Sequence, residues 1–200
     1  MSRFEIIDNF LSEEDWQKQY DLFFSTEHII KWNFHEVKHQ PDSYFFQHMF
    51  QKHRIYDGSG VEKEAYSRKN PVFISPMNSV SKNHIKHYDI ALEPILKHYP
   101  HKELLSARTN LFTRMSSNFS FEKPDPHGVG LHTDHGGEFH YLTMIYYINT
   151  TNGGTYFAND KGAVQSIKNR LVVFDGHTFH RHIYQTDEKA RVATNINIIV

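Results

Sequence analysis

Apolar positions follow a helical period in the first half of the chain. Residues 4–7 form a short apolar run typical of a strand. Ser12 is a candidate helix N-cap, with Asp15 three residues later as in a capping box. One apolar face then follows at helical spacing, made of Trp16, Tyr20, Phe23 and Phe24. A second helix is expected over about 78–98, ahead of Pro100.

The pattern changes after Ser106 to short runs rich in Val, Ile, Thr, Tyr and Phe, separated by Gly, Asn, Asp and Pro. Strands are predicted near 107–114, 129–134, 139–148, 154–158, 163–167, 170–175 and 191–199. Helices followed by many short strands predict a β-sandwich or jelly roll with a helical layer outside. Residues 29–76 give no assignment beyond a turn at 57–60, and 115–128 is a candidate mobile cover.

The composition narrows the class of protein but does not by itself indicate a function. The 200 residues fit one domain, with 1–105 as helical support and substrate-facing segments and 106–200 as the catalytic core. A net charge of −1 gives no general attraction to nucleic acid or anionic membrane. No signal-like or membrane-spanning run is present, so the expected location is cytoplasmic. The absence of Cys leaves the 16 His, with carboxylates, as the candidate metal ligands.

A His-x-Asp triplet is the first candidate for metal chemistry. On a strand, His132 and Asp134 would point to one face, at a separation that one cation can bridge. About one such triplet is expected by chance, and a second copy at His87 and Asp89 falls in the predicted helix, where it would form a solvated surface. A third ligand is expected after the strand 170–175, from one of three histidines: His177, His180 or His182.

The last predicted strand has one polar face and one apolar face. The polar face carries Arg191, Ala193, Asn195 and Asn197. A strand between helices and a core is normally apolar on both faces, so this one is expected to form a pocket wall. Arg191 would bind a carboxylate there through two parallel hydrogen bonds. The alternative is a surface ion pair with Asp187 or Glu188.

Two further strands place polar side chains at matching parity. Arg108, Asn110 and Arg114 share one face of the strand over 107–114. Thr143 and Tyr147 share a face of the strand over 139–148, and a core role for Tyr147 is equally compatible with the pattern.

Taken in order, these residues resemble the 2-oxoglutarate/Fe(II)-dependent dioxygenases, and among them the prolyl 4-hydroxylase-like branch. The matching stretches are 132–134, 143–149, 153–157, 170–176, His180 and Arg191, with a looser match at 6–12. The resemblance covers about residues 107–199. It implies a double-stranded β-helix, a jelly roll whose helices pack outside the major sheet.

The resemblance also implies the ligands and the cosubstrate. His132, Asp134 and His180 would hold Fe(II), with His180 preferred because it lies five residues after Asp175. Arg191 would pair with the distal carboxylate of 2-oxoglutarate, and Tyr147 would donate a hydrogen bond to it. Thr143 and Asn110 are further candidates for that pocket. Asn195 stands where animal prolyl hydroxylases carry Thr, and it is a candidate for the same hydrogen bond.

Three functions are therefore compared. The first is hydroxylation of a C–H bond, with a prolyl residue of a peptide or protein as the expected substrate, using Fe(II), 2-oxoglutarate and O2. The second is the same chemistry on a free amino acid or small metabolite. The third is a non-catalytic metal-binding jelly roll, which would not need Arg191 beside Asn195 and Asn197. Charge disfavours a nucleic-acid substrate, and the sequence leaves the oligomeric state open.

Overall fold

The computed structural model describes residues 3–25, 30, 32–36, 44–51, 55–56, 62–63, 82–115, 130–136, 139–158 and 161–200. The expected turn at 57–60 lies outside these residues. So do the start of the second predicted helix and all of the candidate cover except Met115.

Twelve strands and three helices are formed by the described residues. The helices are α1 (Glu13–Phe24), α2 (Lys82–Ala91) and α3 (Glu93–Leu96). The strands are β1 (Phe4–Ile7), β2 (Asn33–Glu36), β3 (Tyr44–Gln51), β4 (Ile55–Tyr56), β5 (Glu62–Lys63), β6 (Glu103–Thr113), β7 (Tyr141–Tyr147), β8 (Gly154–Phe157), β9 (Gly162–Gln165), β10 (Arg170–Asp175), β11 (His180–Ile183) and β12 (Ala190–Ile199).

Two antiparallel sheets organise the fold. The major sheet has seven strands in the order β1-β10-β7-β12-β6-β3-β2, and the minor sheet has the order β11-β8-β9. Strand β12 is central, because it pairs with β6 on one side and with β7 on the other. The predicted jelly roll is confirmed. Strands β2 and β3 extend its major sheet, and they lie in the 29–76 stretch, for which no strand was predicted.

Two apolar cores lie on opposite faces of the major sheet. The outer core packs α1, α2 and α3 against side chains such as Val192 and Ile196 of β12. The inner core lies between the sheets and includes Tyr147, Phe157 and Phe174. The helices therefore pack outside the major sheet, as predicted, and the inner face is left to form a cavity with the minor sheet.

Helix α1 begins where the sequence predicts. Ser12 is its N-cap, and the Ser12 hydroxyl accepts a hydrogen bond from the Asp15 amide. The buried face is shifted slightly from the predicted one: it consists of Trp16, Gln19, Leu22 and Phe23. Tyr20 and Phe24 are partly buried beside that core. In the described part of the chain, none of the helices is long and apolar enough to cross a membrane.

Two sequence expectations about local structure are wrong. Residues 129–134 do not form a strand in the part the structure describes, since His132 makes only an isolated bridge to His180. His87 is not solvated: it is 8% exposed, because α2 packs against the sheet, with its ring 5.8 Å from that of His48. The helix itself is present, so His87 and the exposed Asp89 do point apart.

Asn169 ties the N-terminal segment to the major sheet. It is buried with a φ of +58°, and its Oδ1 accepts hydrogen bonds from the Leu11 amide and the Tyr146 hydroxyl at 2.9 and 2.8 Å. Its Nδ2 donates to the Leu11 carbonyl at 2.9 Å. Few residues tolerate this backbone conformation, and Asn is one of them.

Asn169→Ala is expected to lower the free energy of unfolding by about 3–5 kcal/mol, since three hydrogen bonds of about 1 kcal/mol each are lost and Ala is strained at positive φ. Asn9→Ala is the matched control, because Asn9 has a φ of +51° but is exposed. It should lose about 1 kcal/mol from backbone strain alone. Urea denaturation measures both, and equal losses would contradict the role of the Asn169 side chain.

Candidate metal centre and anion pocket

A cluster of two histidines and one aspartate lies at one end of the inner cavity. The ligand atoms of His132, Asp134 and His180 all lie within 4.8 Å of one another. The Nε2 atoms of His132 and His180 stand 3.9 and 4.0 Å from the two Asp134 carboxylate oxygens. A cation about 2.1 Å from each ligand can bridge atoms up to about 4.2 Å apart, which covers both histidine–aspartate distances. The spacing therefore suits a bound metal ion.

The backbone brings the two histidines together. The amide of each donates to the carbonyl of the other at 3.0 Å, which forms the bridge between the 130–136 segment and β11. Strand β11 was not predicted, because its sequence, His-Arg-His-Ile, lacks the apolar alternation of a typical strand. The strand predicted at 129–134 is thus reduced to this single bridge.

Both imidazoles are held in the tautomer that leaves the Nε2 lone pair available to a metal. The Nδ1 of His132 contacts the Gly130 carbonyl at 2.9 Å, and the Nδ1 of His180 contacts the Thr178 carbonyl at 3.0 Å. A carbonyl can only accept, so each Nδ1 carries the proton and each Nε2 presents its lone pair to the cluster. Such backbone contacts also fix the orientation of ligating imidazoles.

The Asp134 carboxylate is clamped on both oxygens. Arg108 donates to Oδ1 through a short contact, and Asn195 Nδ2 donates to Oδ2 at 3.0 Å. The Asp134 side chain is fully buried, which by itself would raise its pKa. The positive charge of Arg108, electrostatic interactions with the two histidines and the hydrogen bond from Asn195 together outweigh the effect of burial. They hold the pKa of Asp134 well below its usual range. The site therefore keeps an anionic ligand.

The three candidate third ligands occupy different environments. His180 joins the cluster, while His177 is exposed and its Nε2 contacts the Phe139 carbonyl at 3.1 Å. His182 lines the cavity away from the cluster. Burial first, and next the charge of Arg191, lower the pKa of His182 to about 3, so its ring is neutral. The geometry thus favours the choice made from motif spacing.

Arg191 lies inside the same cavity. Its side chain is 1% exposed, and Nε and Nη2 have no hydrogen-bond partner among the described residues. Its guanidinium carbon stands 4.2 Å from the centre of the Phe112 ring, its partner across the β12–β6 ladder. Burial lowers the pKa of Arg191 to about 10, which still leaves it charged at neutral pH. The alternative of a surface ion pair is wrong.

The other predicted pocket residues divide into two groups. Asn110 and Asn195 line the cavity. Tyr147 instead lies in the inner core, and its hydroxyl donates to Thr155 Oγ1 at 2.7 Å. Thr143 is buried and donates to Asn197 Oδ1 at 2.7 Å. Outside the cavity, Arg114 follows the end of β6 and is exposed.

Asn195 and Asn197 form a polar chain behind the metal cluster. Asn197 Nδ2 donates to Asn195 Oδ1 at 3.2 Å and to Ser106 Oγ at 3.0 Å. Since Asn195 in turn donates to Asp134, its amide is occupied by the aspartate. The polar face of β12 therefore positions the carboxylate at one end and presents Arg191 at the other.

The cavity, of about 270 Å³, includes residues that sequence reasoning did not assign to it. The additional lining residues are Gln47, Phe112, Gly130, Ile145, Thr155 and His182, together with Arg108, for which only the strand face was predicted. The parity of β6 could have identified Phe112, which shares a face with Arg108 and Asn110. The Gly-Gly-Thr motif could have identified Thr155. A side chain at Gly154 would meet the Val164 carbonyl, so glycine is what lets β8 approach β9 there.

Comparison with solved structures supports the fold. An oxidoreductase of the 2OG-Fe(II) oxygenase family from Burkholderia pseudomallei matches with a TM-score of 0.58 and 8% identity, over 98% of this chain and 84% of that one. AviO1 from Streptomyces viridochromogenes Tue57 matches with a TM-score of 0.55 and 9% identity, over 100% and 90% of the two chains. The chain thus has the fold of the 2OG-Fe(II) oxygenases.

A prolyl hydroxylase from Trichoplax adhaerens, in complex with a hypoxia inducible factor oxygen degradation domain peptide fragment, matches less well. Its TM-score is 0.48 at 15% identity, over 98% of this chain and 83% of that one. A similarity of this size bears on neither substrate nor mechanism. No protein-family model matches the chain, and no curated protein matches its sequence.

His180→Ala is expected to weaken binding of Fe(II) or Co(II) at least tenfold, because it removes one of three ligands. His177→Ala is the matched control and should bind as the unmodified protein does, since this side chain lies outside the cluster. Anaerobic isothermal titration calorimetry measures both. Loss of binding in the His177 variant, with retention in the His180 variant, would reverse the assignment.

Proposed function

We propose that this protein is an Fe(II)- and 2-oxoglutarate-dependent dioxygenase that hydroxylates a C–H bond. The observation that carries the proposal is the pairing, in one cavity, of a His-Asp-His cluster with a buried arginine that lacks a hydrogen-bond partner among the described residues. A jelly roll that only bound metal would have no use for the second feature.

The cluster supports iron as the metal. Two imidazoles and one carboxylate on one face of a metal are the ligands of non-haem Fe(II) oxygenases, and they leave positions open for other ligands. His132, Asp134 and His180 would hold the ion, which supplies activation of dioxygen when 2-oxoglutarate is bound to it. The chain's own contribution is to fix the two tautomers and to keep Asp134 ionised.

Arg191 supports a carboxylate-bearing cosubstrate. An isolated charge in a buried site is costly unless it is paired. A carboxylate would accept hydrogen bonds from the Nε and Nη2 groups of Arg191, and its negative charge would offset the burial. Phe112 holds the guanidinium of Arg191 in place by a cation–π contact.

The metal cluster and Arg191 lie towards opposite ends of the cavity face of β12. Arg191 and Asn195 are four residues apart on one face, which is about 13 Å along a strand. Asn195 holds the metal ligand Asp134, and Ala193 between them leaves space. Ile145 and Phe112 form apolar parts of the wall, so a bound dicarboxylate would be shielded from water.

Arg191→Met is expected to reduce 2-oxoglutarate affinity at least about tenfold, since a charged hydrogen bond contributes about 1.5–3 kcal/mol. Metal affinity should not change. Arg181→Met is the matched control, because Arg181 lies on β11 beside Tyr156 and does not line the cavity. The measurements are the visible charge-transfer band of the anaerobic Fe(II) complex and the thermal shift with 2-oxoglutarate. If the unmodified protein shows neither, the oxygenase proposal is wrong.

The substrate proposed from the resemblance is a prolyl residue in a peptide or protein, with a free amino acid or small metabolite as the alternative. Succinate release separates them: proline-containing peptides are expected to stimulate turnover of 2-oxoglutarate, and free amino acids are not. If only free amino acids stimulated turnover, the prolyl substrate would be wrong and the free amino acid or small metabolite would take its place.

A further inference from the structure

Two amide side chains, those of Gln47 and Asn110, form a pair on the cavity wall, and Gln47 has no role in the metal and cosubstrate sites proposed above. Gln47 on β3 stands directly opposite Asn110 on β6, and Gln47 Nε2 donates to Asn110 Oδ1 at 3.0 Å. Both residues line the cavity, although Gln47 is only 9% exposed. A buried amide and a partly buried one are therefore oriented by each other.

This pair leaves one acceptor and one donor for a ligand. Gln47 Oε1 and Asn110 Nδ2 have no hydrogen-bond partner among the described residues. If the oxygen and nitrogen of both amides were exchanged, the pair would still leave one acceptor group and one donor group, because the bond between the two amides uses one of each. Both groups belong to side chains that line the cavity, so this part of the wall is suited to a ligand with a complementary donor and acceptor.

Gln47 is the member of the pair that lies away from the proposed cosubstrate, whereas Asn110 stands opposite Ala193 of β12. On the cavity face of β6, Asn110 lies between Arg108, which contacts Asp134, and Phe112, which contacts Arg191. The line from Asp134 to Arg191 follows β12, whereas Gln47 is two strands away, at about 10 Å given the usual strand spacing. The pair thus extends from the cosubstrate line towards the side of the cavity.

We propose that Gln47 and Asn110 bind an amide group of the substrate, with Gln47 Oε1 accepting from its N–H and Asn110 Nδ2 donating to its carbonyl. This inference rests on the proposed oxygenase function and specifies its substrate class. An ester of the same shape has the carbonyl but lacks the N–H, and would leave Gln47 Oε1 without a partner. Sites built to bind a polar group discriminate strongly against analogues that lack it.

The test uses N-acetylproline methylamide and N-acetylproline methyl ester, which differ by a single N–H because the acetyl amide of proline carries none. The primary carboxamides asparagine and glutamine are further probes. With Fe(II) and 2-oxoglutarate, the full chain is expected to release succinate at least about tenfold faster with a methylamide than with its ester. Gln47→Met should reduce that ratio to about one, because it removes the acceptor for the N–H. Asn110→Leu should do the same, because it removes the hydrogen bond that orients Gln47. Gln17→Met, on the exposed surface of α1, should leave it unchanged. Preference for methylamides indicates a peptide source, and preference for asparagine or glutamine indicates a small carboxamide.

Several outcomes would overturn the inference. They are equal rates with amide and ester, no stimulation by any amide, and an amide preference that survives in both variants. A loss of 2-oxoglutarate affinity in the variants, with the amide preference intact, would assign the pair to the cosubstrate instead. Retention of the Fe(II)–2-oxoglutarate band shows that a variant is folded and loaded.

A binding measurement keeps this inference distinct from the function on which it rests. Saturation-transfer NMR with N-methylacetamide and methyl acetate needs neither iron nor turnover. If the unmodified protein failed to form the 2-oxoglutarate complex but bound N-methylacetamide in a Gln47-dependent way, the oxygenase proposal would fail and the amide site would stand. Equal signals from N-methylacetamide and methyl acetate would contradict the inference of an amide site.

Discussion

A carboxylate that is fully buried must be surrounded by donors and positive charge, and Asp134 imposes this requirement on the whole inner face of the fold. Its oxygens are satisfied by Arg108 from β6 and by Asn195 from β12, and the two imidazoles stand within 4.0 Å. Removing one partner of a buried pair is typically destabilising by about 3–5 kcal/mol. The central strands therefore carry polar residues in positions that would otherwise be apolar.

Strand β12 meets this requirement without weakening the outer core. Its alternate residues Val192, Ile196 and Ile198 pack against the helices, while the intervening residues face the cavity. One strand thus combines half of a hydrophobic core with a polar wall. The separation works because the side chains of a strand alternate strictly, so a shift of one residue in register would bury Arg191 among the helices.

The sequence was most informative where a chemical requirement coincided with a periodic pattern. The alternation of β12 predicted the cavity wall, and motif order predicted which histidine joins His132 and Asp134. Strand β11 escaped prediction because His180, Arg181 and His182 are not residues of high strand propensity, and two of them, His180 and His182, line the cavity. The neighbours of Asn195 and Tyr147 could not be inferred either, since a strand pattern gives the face of a side chain but not its partner.

Gln47 illustrates a second kind of contact that the sequence does not predict. It lies in an aromatic stretch without a clear period, and only the pairing of β3 with β6 brings it beside Asn110. Contacts of this kind depend on the register between strands that are far apart in the chain, and local sequence does not determine that register.

The reciprocal hydrogen bonds between the backbones of His132 and His180 have an entropic consequence. The distance between two candidate ligands is set by the main chain, and their ring orientations by the carbonyls of Gly130 and Thr178. The loss of conformational freedom needed to assemble these ligands is therefore part of folding rather than of metal binding. A metal ion entering this site meets ligands that are already in place, so the free energy of coordination is available in full for affinity.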